Sequence, residues 1–251
     1  MHEGFFFGPP NRKIFGAYHP PVGGAGGALT VICAPLFSEY LRTHAALRAL
    51  AVALSQAGQH VLRFDYLGTG DSAGELEQIE AADWLEDIAL AVDEGREISG
   101  SSVLQLLCVR AGALLACRSL NATRAARRIV LWDPVADGAA YVQALRHEQA
   151  AVCARNPHLD PAERCAAMRE HAGYTLSERM AEKLGSFGAD TYAHVPAGLL
   201  HVVSTAPNPG FPVSDVLREE IAFRCNWDEL GVDQLVPRPV MEGLVRCLVR
   251  P

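Results

Sequence analysis

Short runs of β-branched and aliphatic residues alternate with amphipathic stretches through the first half of the chain. Residues 13–18 read as an early strand of a hairpin or meander, and the proline- and glycine-dense stretch 20–27 as a turn. Further strands are predicted at 29–33, 60–64, 102–107 and 128–132, each nearly continuous in apolar character. Between them the pattern predicts a helix over 40–56, with Leu41, Leu47, Leu50, Val52 and Leu54 as its apolar content and Gly58 as its stop. A second helix is predicted over 79–96, where Trp84, Ile88 and Val92 recur at spacings of four. Strands without a polar face need cover on both sides, so this is an α/β chain with a mostly parallel sheet flanked by helices.

The rhythm breaks after Asp133-Pro134. Residues 135–196 show no strand pattern and predict helices at 139–155, 161–172 and 176–185. The sheet resumes at 199–203, with a last strand at 221–224 and a closing helix at 239–249. The expected organisation is therefore a core of residues 1–134 and 197–251 with a helical lid of residues 135–196 inserted after the sixth strand. Such a lid sits over the carboxyl ends of the strands, where open α/β sheets bind their ligands.

Composition narrows the function classes. A net charge of −7 over 251 residues argues against nucleic acid and against anionic membranes as partners. The seven cysteines contain no C-x-x-C pair, so neither a disulfide framework nor a metal site is expected, and a reducing cytoplasmic location follows. Phe5-Phe6-Phe7 is cut short by Gly8-Pro9-Pro10, too soon for a signal-peptide core, and no apolar run reaches membrane-spanning length. No cofactor is expected.

The chemistry concentrates at Cys108-Val109-Arg110-Ala111-Gly112. A strand precedes it and a small-residue helix, 111–120, follows, which is the strand–turn–helix setting of a G-x-S-x-G nucleophile elbow. Arg110 stands where serine is usual and Cys108 where the first glycine is usual; Cys108 itself reads as a buried structural thiol. A second loop, Asp65-Tyr66-Leu67-Gly68-Thr69-Gly70-Asp71-Ser72-Ala73-Gly74, follows a strand directly. Its glycines invite comparison with a dinucleotide loop, but they are better read as permitting positive-φ turns.

These two loops, with Cys33-Ala34-Pro35-Leu36-Phe37-Ser38-Glu39-Tyr40 and Val130-Leu131-Trp132-Asp133-Pro134-Val135, resemble the α/β-hydrolase superfamily. Within it they are similar to the hydrolase-like proteins associated with bacterial exosortase systems, which share an arginine at the elbow. The resemblance covers the first half of the chain well, and it implies an α/β-hydrolase fold with a site above the elbow. It places Arg110 at the nucleophile position, and guanidinium is not nucleophilic at any working pH. It assigns the oxyanion hole to the N–H of Ala111 and to one in Leu36-Phe37-Ser38. The acid position falls within 204–215, where Asp215 is the sole carboxylate, and the base histidine, expected after residue 226, is absent. A working Ser-His-Asp triad is thus not expected.

Arg110 has two compatible readings: an anion-binding fork at a helix amino terminus, or an internal ion pair with Asp65, Asp71, Asp133 or Glu39. The candidate catalytic set is Arg110, His44 and Ser38, and the candidate anion-binding set is Arg110, Ala111, Leu36, Phe37 and Asp65. Three functions stay open. The first is a protein without a working triad that binds an anionic or acyl-type small molecule, or an acyl-carrier group, under its lid. The second is an unconventional esterase, thioesterase or acyl transferase using His44 with Ser38. The third is a noncatalytic interaction protein in a polysaccharide-export or natural-product pathway, which calls for an exposed apolar patch on the lid. A homodimer is left open.

Overall fold

Eight strands form one sheet. The computed structural model describes residues 3–24, 26–156, 158, 160, 170–205, 211–227 and 237–250, without the side chains of residues 120 and 121. β2 (Ile14–His19) is the early strand read from the sequence; β1 (Glu3–Phe7) pairs with it as an antiparallel hairpin, and β2 runs antiparallel to β4 (His60–Phe64). From there β3 (Leu29–Cys33), β5 (Leu104–Val109), β6 (Ala126–Trp132), β9 (Leu200–Ser204) and β10 (Leu217–Glu220) are parallel. The predicted parallel sheet is therefore present, with β3, β4, β5, β6 and β9 at or within a few residues of the expected positions.

Alternating strand residues feed two cores, as the two-residue period of a strand requires. Val31, Leu106, Cys108, Ile129 and Leu131 pack under α2 (Ala81–Ser99) and α3 (Gly112–Arg118). Ile32, Leu107, Val109, Val130 and Trp132 pack under α1 (Phe37–Gln56) and the closing helix α8 (Arg238–Val249). The short α4 (Leu120–Ala125) returns the chain to β6. No helix among the described residues is long and apolar enough to cross a membrane.

Residues 138–196 carry α5 (Gly138–Ala154), α6 (Glu178–Gly185) and α7 (Asp190–Ala193). Asp137 caps α5 by accepting from the Ala140 N–H, and Ser177 caps α6 through Met180. Contrary to the sequence reading, this segment also contains strands, β7 (Glu170–His171) and β8 (Tyr174–Thr175). They join through Ala172 and Gly173, both at positive φ, a turn too short for a periodicity argument to reveal. Most of the helix predicted over 161–172 lies outside the described residues.

The last strand also departs from expectation. It is Leu217–Glu220, an exposed and polar edge strand, whereas the apolar Ile221 and Phe223 turn toward the cluster beneath α8. Hydrophobicity marked the anchoring residues and missed the strand, because an edge strand need not be apolar. Asp215 accordingly lies exposed in a bend before a strand and caps no helix.

One buried pair lends the fold a pH dependence. Tyr18 Oη and His60 Nδ1 lie 2.5 Å apart between β2 and β4, and burial pushes the His60 pKa down. The unfolded chain then binds a proton near pH 6.5 that the folded chain resists, so stability is lost as the pH falls below that value. Denaturant midpoints should fall between pH 7.5 and 5.0, and His60→Gln should flatten that slope; an unchanged slope would remove His60 from the account.

Candidate functional site

Three neighbouring strands of the sheet, β3, β5 and β6, end at Cys33, Val109 and Trp132, and the chain turns sharply beyond each. Phe37 (φ 53°), Arg110 (φ 51°) and Asp133 (φ 42°) take up left-handed backbone conformations at these turns. The elbow demands small neighbours, and a Cβ on Gly112 would lie 2.4 Å from the Ala34 carbonyl oxygen. That steric limit brings α3 against the end of β3 and aims the Arg110 side chain out of the turn.

Arg110 meets Glu39 from the first turn of α1, Nε donating to Oε1 at 2.9 Å. Its Nη1 donates to the Asp133 carbonyl oxygen at 3.2 Å, and the guanidinium carbon sits 5.1 Å from the centre of the Trp227 ring. Of the four carboxylates considered from sequence, Glu39 is the ion-pair partner. Tyr141 of α5, missed by the sequence reading, donates to the other Glu39 oxygen at 3.3 Å. Burial pushes the Glu39 carboxyl up, against the pull of Arg110 and Tyr141, with Glu148 adding to the rise. Burial opposes the charge of Arg110 too, but Glu39, Tyr141 and Asp133 together outweigh it and the net shift is upward. The Arg110 side chain is still 19% exposed, against 5% for that of Glu39.

Asp133 has its own structural work. Its carboxylate accepts from the Thr205 N–H (2.7 Å), the Thr205 hydroxyl (2.6 Å) and Trp227 Nε1 (2.8 Å). Arg42 in turn donates to the Asn226 carbonyl oxygen at 2.7 Å, so Trp227 is fixed from both sides as a wall beside Arg110. Trp227 could not be found from sequence, since it lies far along the chain in no recognisable motif.

The remaining candidates are Asp65, His44 and Ser38. Asp65 receives the Tyr40 hydroxyl and the Asp71 N–H, and a Cβ on Gly70 would lie 2.1 Å from its Oδ2. It organises its own loop, as the positive φ of Gly68, Gly70 and Gly74 also indicates. His44 is exposed on α1, its ring edge-on to Tyr40, in a surface recess with Arg48 and Val52. Half-buried Ser38 makes no contact with His44 among the described residues. The structure brings Arg110, Ala111, Leu36 and Phe37 to one sheet edge, sets Asp65 with Leu36 and Phe37 on the wall of a small cavity, and leaves the His44–Ser38 pairing unmade.

A different histidine comes from the inserted segment. His171 is buried, its Nε2 lies 2.9 Å from Glu148 Oε2, and its ring packs edge-on against Phe37 at 6.3 Å. Its Nδ1 is buried with no partner among the described residues. The sequence holds no local signal that marks it. Nearby, a cavity of about 10 Å³ lies between Leu36, Phe37, Trp84 and Tyr174, room for about one water molecule.

No protein-family model matches this chain, and no curated protein matches it. Solved structures do. A soluble variant of monoglyceride lipase from Saccharomyces cerevisiae aligns with 99% of this chain and 94% of its own, at 13% identity and a TM-score of 0.67. A proline iminopeptidase-related protein from Thermus thermophilus aligns over 99% and 97%, at 16% identity and 0.62. The thioesterase domain from the curacin biosynthetic pathway aligns over 100% of both chains, at 13% identity and 0.58. Taken with the strand order and the elbow between β5 and α3, these likenesses show that the chain has the α/β-hydrolase fold.

Proposed function

We propose that this protein binds an anionic or acyl-type small molecule at Arg110, under a lid formed by residues 135–196, without a Ser-His-Asp triad. The observation that carries this reading is the half-used guanidinium. Of its five N–H donors, Nε and one on Nη1 are engaged, and the other three have no acceptor among the described residues. The Ala111 N–H, in a fully buried residue, likewise has no acceptor among them. Unused guanidinium donors on a partly exposed side chain, beside a buried N–H, suit a carboxylate or phosphate group.

The test is binding of carboxylates, inorganic phosphate and acyl-pantetheine, measured by calorimetry and thermal shift. Arg110→Met should weaken the best ligand about 10- to 100-fold, the worth of one or two charge-assisted hydrogen bonds. Equal affinity in the variant would overturn the proposal. Arg110→Ser should yield no esterase activity, because no histidine stands in the place that serves an elbow serine.

One observation favours a catalytic alternative. With Nε2–H donated to Glu148, His171 Nδ1 would carry a lone pair and could act as a general base on a bound water or hydroxyl. Turnover of short acyl thioesters that His171→Gln abolished would support this reading over binding alone. The interaction-protein reading has less support: among the described residues, no large exposed apolar side chain lies within 138–196.

A further inference from the structure

Far from Arg110 along the sheet, three residues of different chemistry converge on the face that α8 covers. His201 lies on β9, Glu219 on β10 and Cys247 on α8. The parallel register pairs His201 with Leu217 and Val203 with Glu219, so His201 and Glu219 project from the same face of adjacent strands. One nitrogen, one oxygen and one sulfur atom from the three side chains all lie within 4.8 Å of one another. Cys247 Sγ is 3.5 Å from His201 Nε2 and 3.3 Å from Glu219 Oε2.

These separations have a geometric meaning. Zinc bonds of ~2.3 Å to sulfur and ~2.0–2.1 Å to nitrogen or oxygen, at tetrahedral angles, place sulfur about 3.6 Å from either partner. The sulfur–nitrogen and sulfur–oxygen edges are therefore near the required length without a cation. Glu219 is held by a further contact, Arg246 Nη2 donating to its Oε1 at 2.8 Å, which leaves Oε2 turned toward the thiol. An outer partner that orients a ligating carboxylate in this way is a regular part of metal sites. The cluster is not sealed either, since the Glu219 side chain is 23% exposed and offers an entry path.

We propose that His201, Glu219 and Cys247 form a zinc site, with water in the fourth position, that straps the closing helix to the edge of the sheet. Mixed sulfur, nitrogen and oxygen donors suit Zn²⁺ and not the hard cations Mg²⁺ or Ca²⁺. Binding replaces the thiol proton: Zn²⁺ joins the Cys247 sulfur and one H⁺ is released to solvent. The sequence hides the site because its three ligands come from separated segments, with none of the short spacings that mark zinc motifs.

The experiment uses the whole chain stripped by a chelator, with Zn²⁺ titrated against a chromophoric competitor and Co²⁺ as a spectroscopic probe. One equivalent should bind, raise Tm, and with Co²⁺ give a thiolate charge-transfer band. Cys247→Ala should lose the band and the tight equivalent. Glu219→Gln, on a partly exposed side chain and so gentler on folding, should also weaken binding strongly. Arg246→Ala should weaken it about 10- to 100-fold while keeping the band. No tight binding to the wild-type chain, or binding and a band indifferent to both Cys247→Ala and Glu219→Gln, would overturn the proposal.

Discussion

Glu39→Leu should destabilise the folded chain by about 3–5 kcal/mol, the penalty typical of removing one partner from a buried ion pair. The reason is not a lost attraction alone. Without Glu39, the Arg110 Nε–H has no acceptor, and the Tyr141 hydroxyl, from the inserted segment, loses its partner as well. The informative comparison is Glu39→Leu with Arg110→Leu. Once both charges are replaced by apolar groups, stability should return to within about 1–2 kcal/mol of wild type, as buried pairs replaced together often do. Urea denaturation of the four proteins of this cycle provides the measurement. If the double variant were as unstable as Glu39→Leu, the cost would belong to packing around α1 and not to a stranded charge. The cycle also separates structure from binding, because every variant without Arg110 should lose ligand affinity whatever its stability.

The second large effect is expected at Asp133. Asp133→Ala leaves the Thr205 N–H, the Thr205 hydroxyl and Trp227 Nε1 without their common acceptor. A stranded buried donor costs ~1–3 kcal/mol, so about 3–5 kcal/mol in all is expected after partial relaxation. Asp133→Asn keeps the shape and one good acceptor and should cost less than half of that. Trp227 supplies a local signal: near-ultraviolet circular dichroism should change in Asp133→Ala at temperatures where the chain is still folded. A loss under about 1 kcal/mol with an unaltered spectrum would show that water replaces the carboxylate and that Asp133 does not anchor the wall beside Arg110.

The contrast between what the sequence disclosed and what it concealed follows from locality. β3 and β4 were legible to the residue because each is an unbroken apolar run bounded by turn residues, and the elbow because its signal is contained in five consecutive positions. Glu39 was within the field of partners for Arg110, but only the packing of α1 beside β5 selects it from four carboxylates. Tyr141, Glu148, His171 and Trp227 carry no local signature. They reach the site through long-range placement of the inserted segment and of the chain after β10. The misplaced last strand has the same origin in reverse: the apolar residues 221 and 223 serve a neighbouring cluster, while the polar residues before them make the hydrogen bonds of the edge.

The left-handed residues at the ends of β3, β5 and β6 have a consequence for how such a protein changes over evolutionary time. None of Phe37, Arg110 and Asp133 is a glycine, and each such conformation costs on the order of 1–3 kcal/mol. Such conformations persist only where the surrounding structure imposes them. The shape of the mouth thus belongs to the scaffold. A substitution at any one of its three corners therefore changes the chemistry presented there and leaves to the backbone the direction in which it is presented.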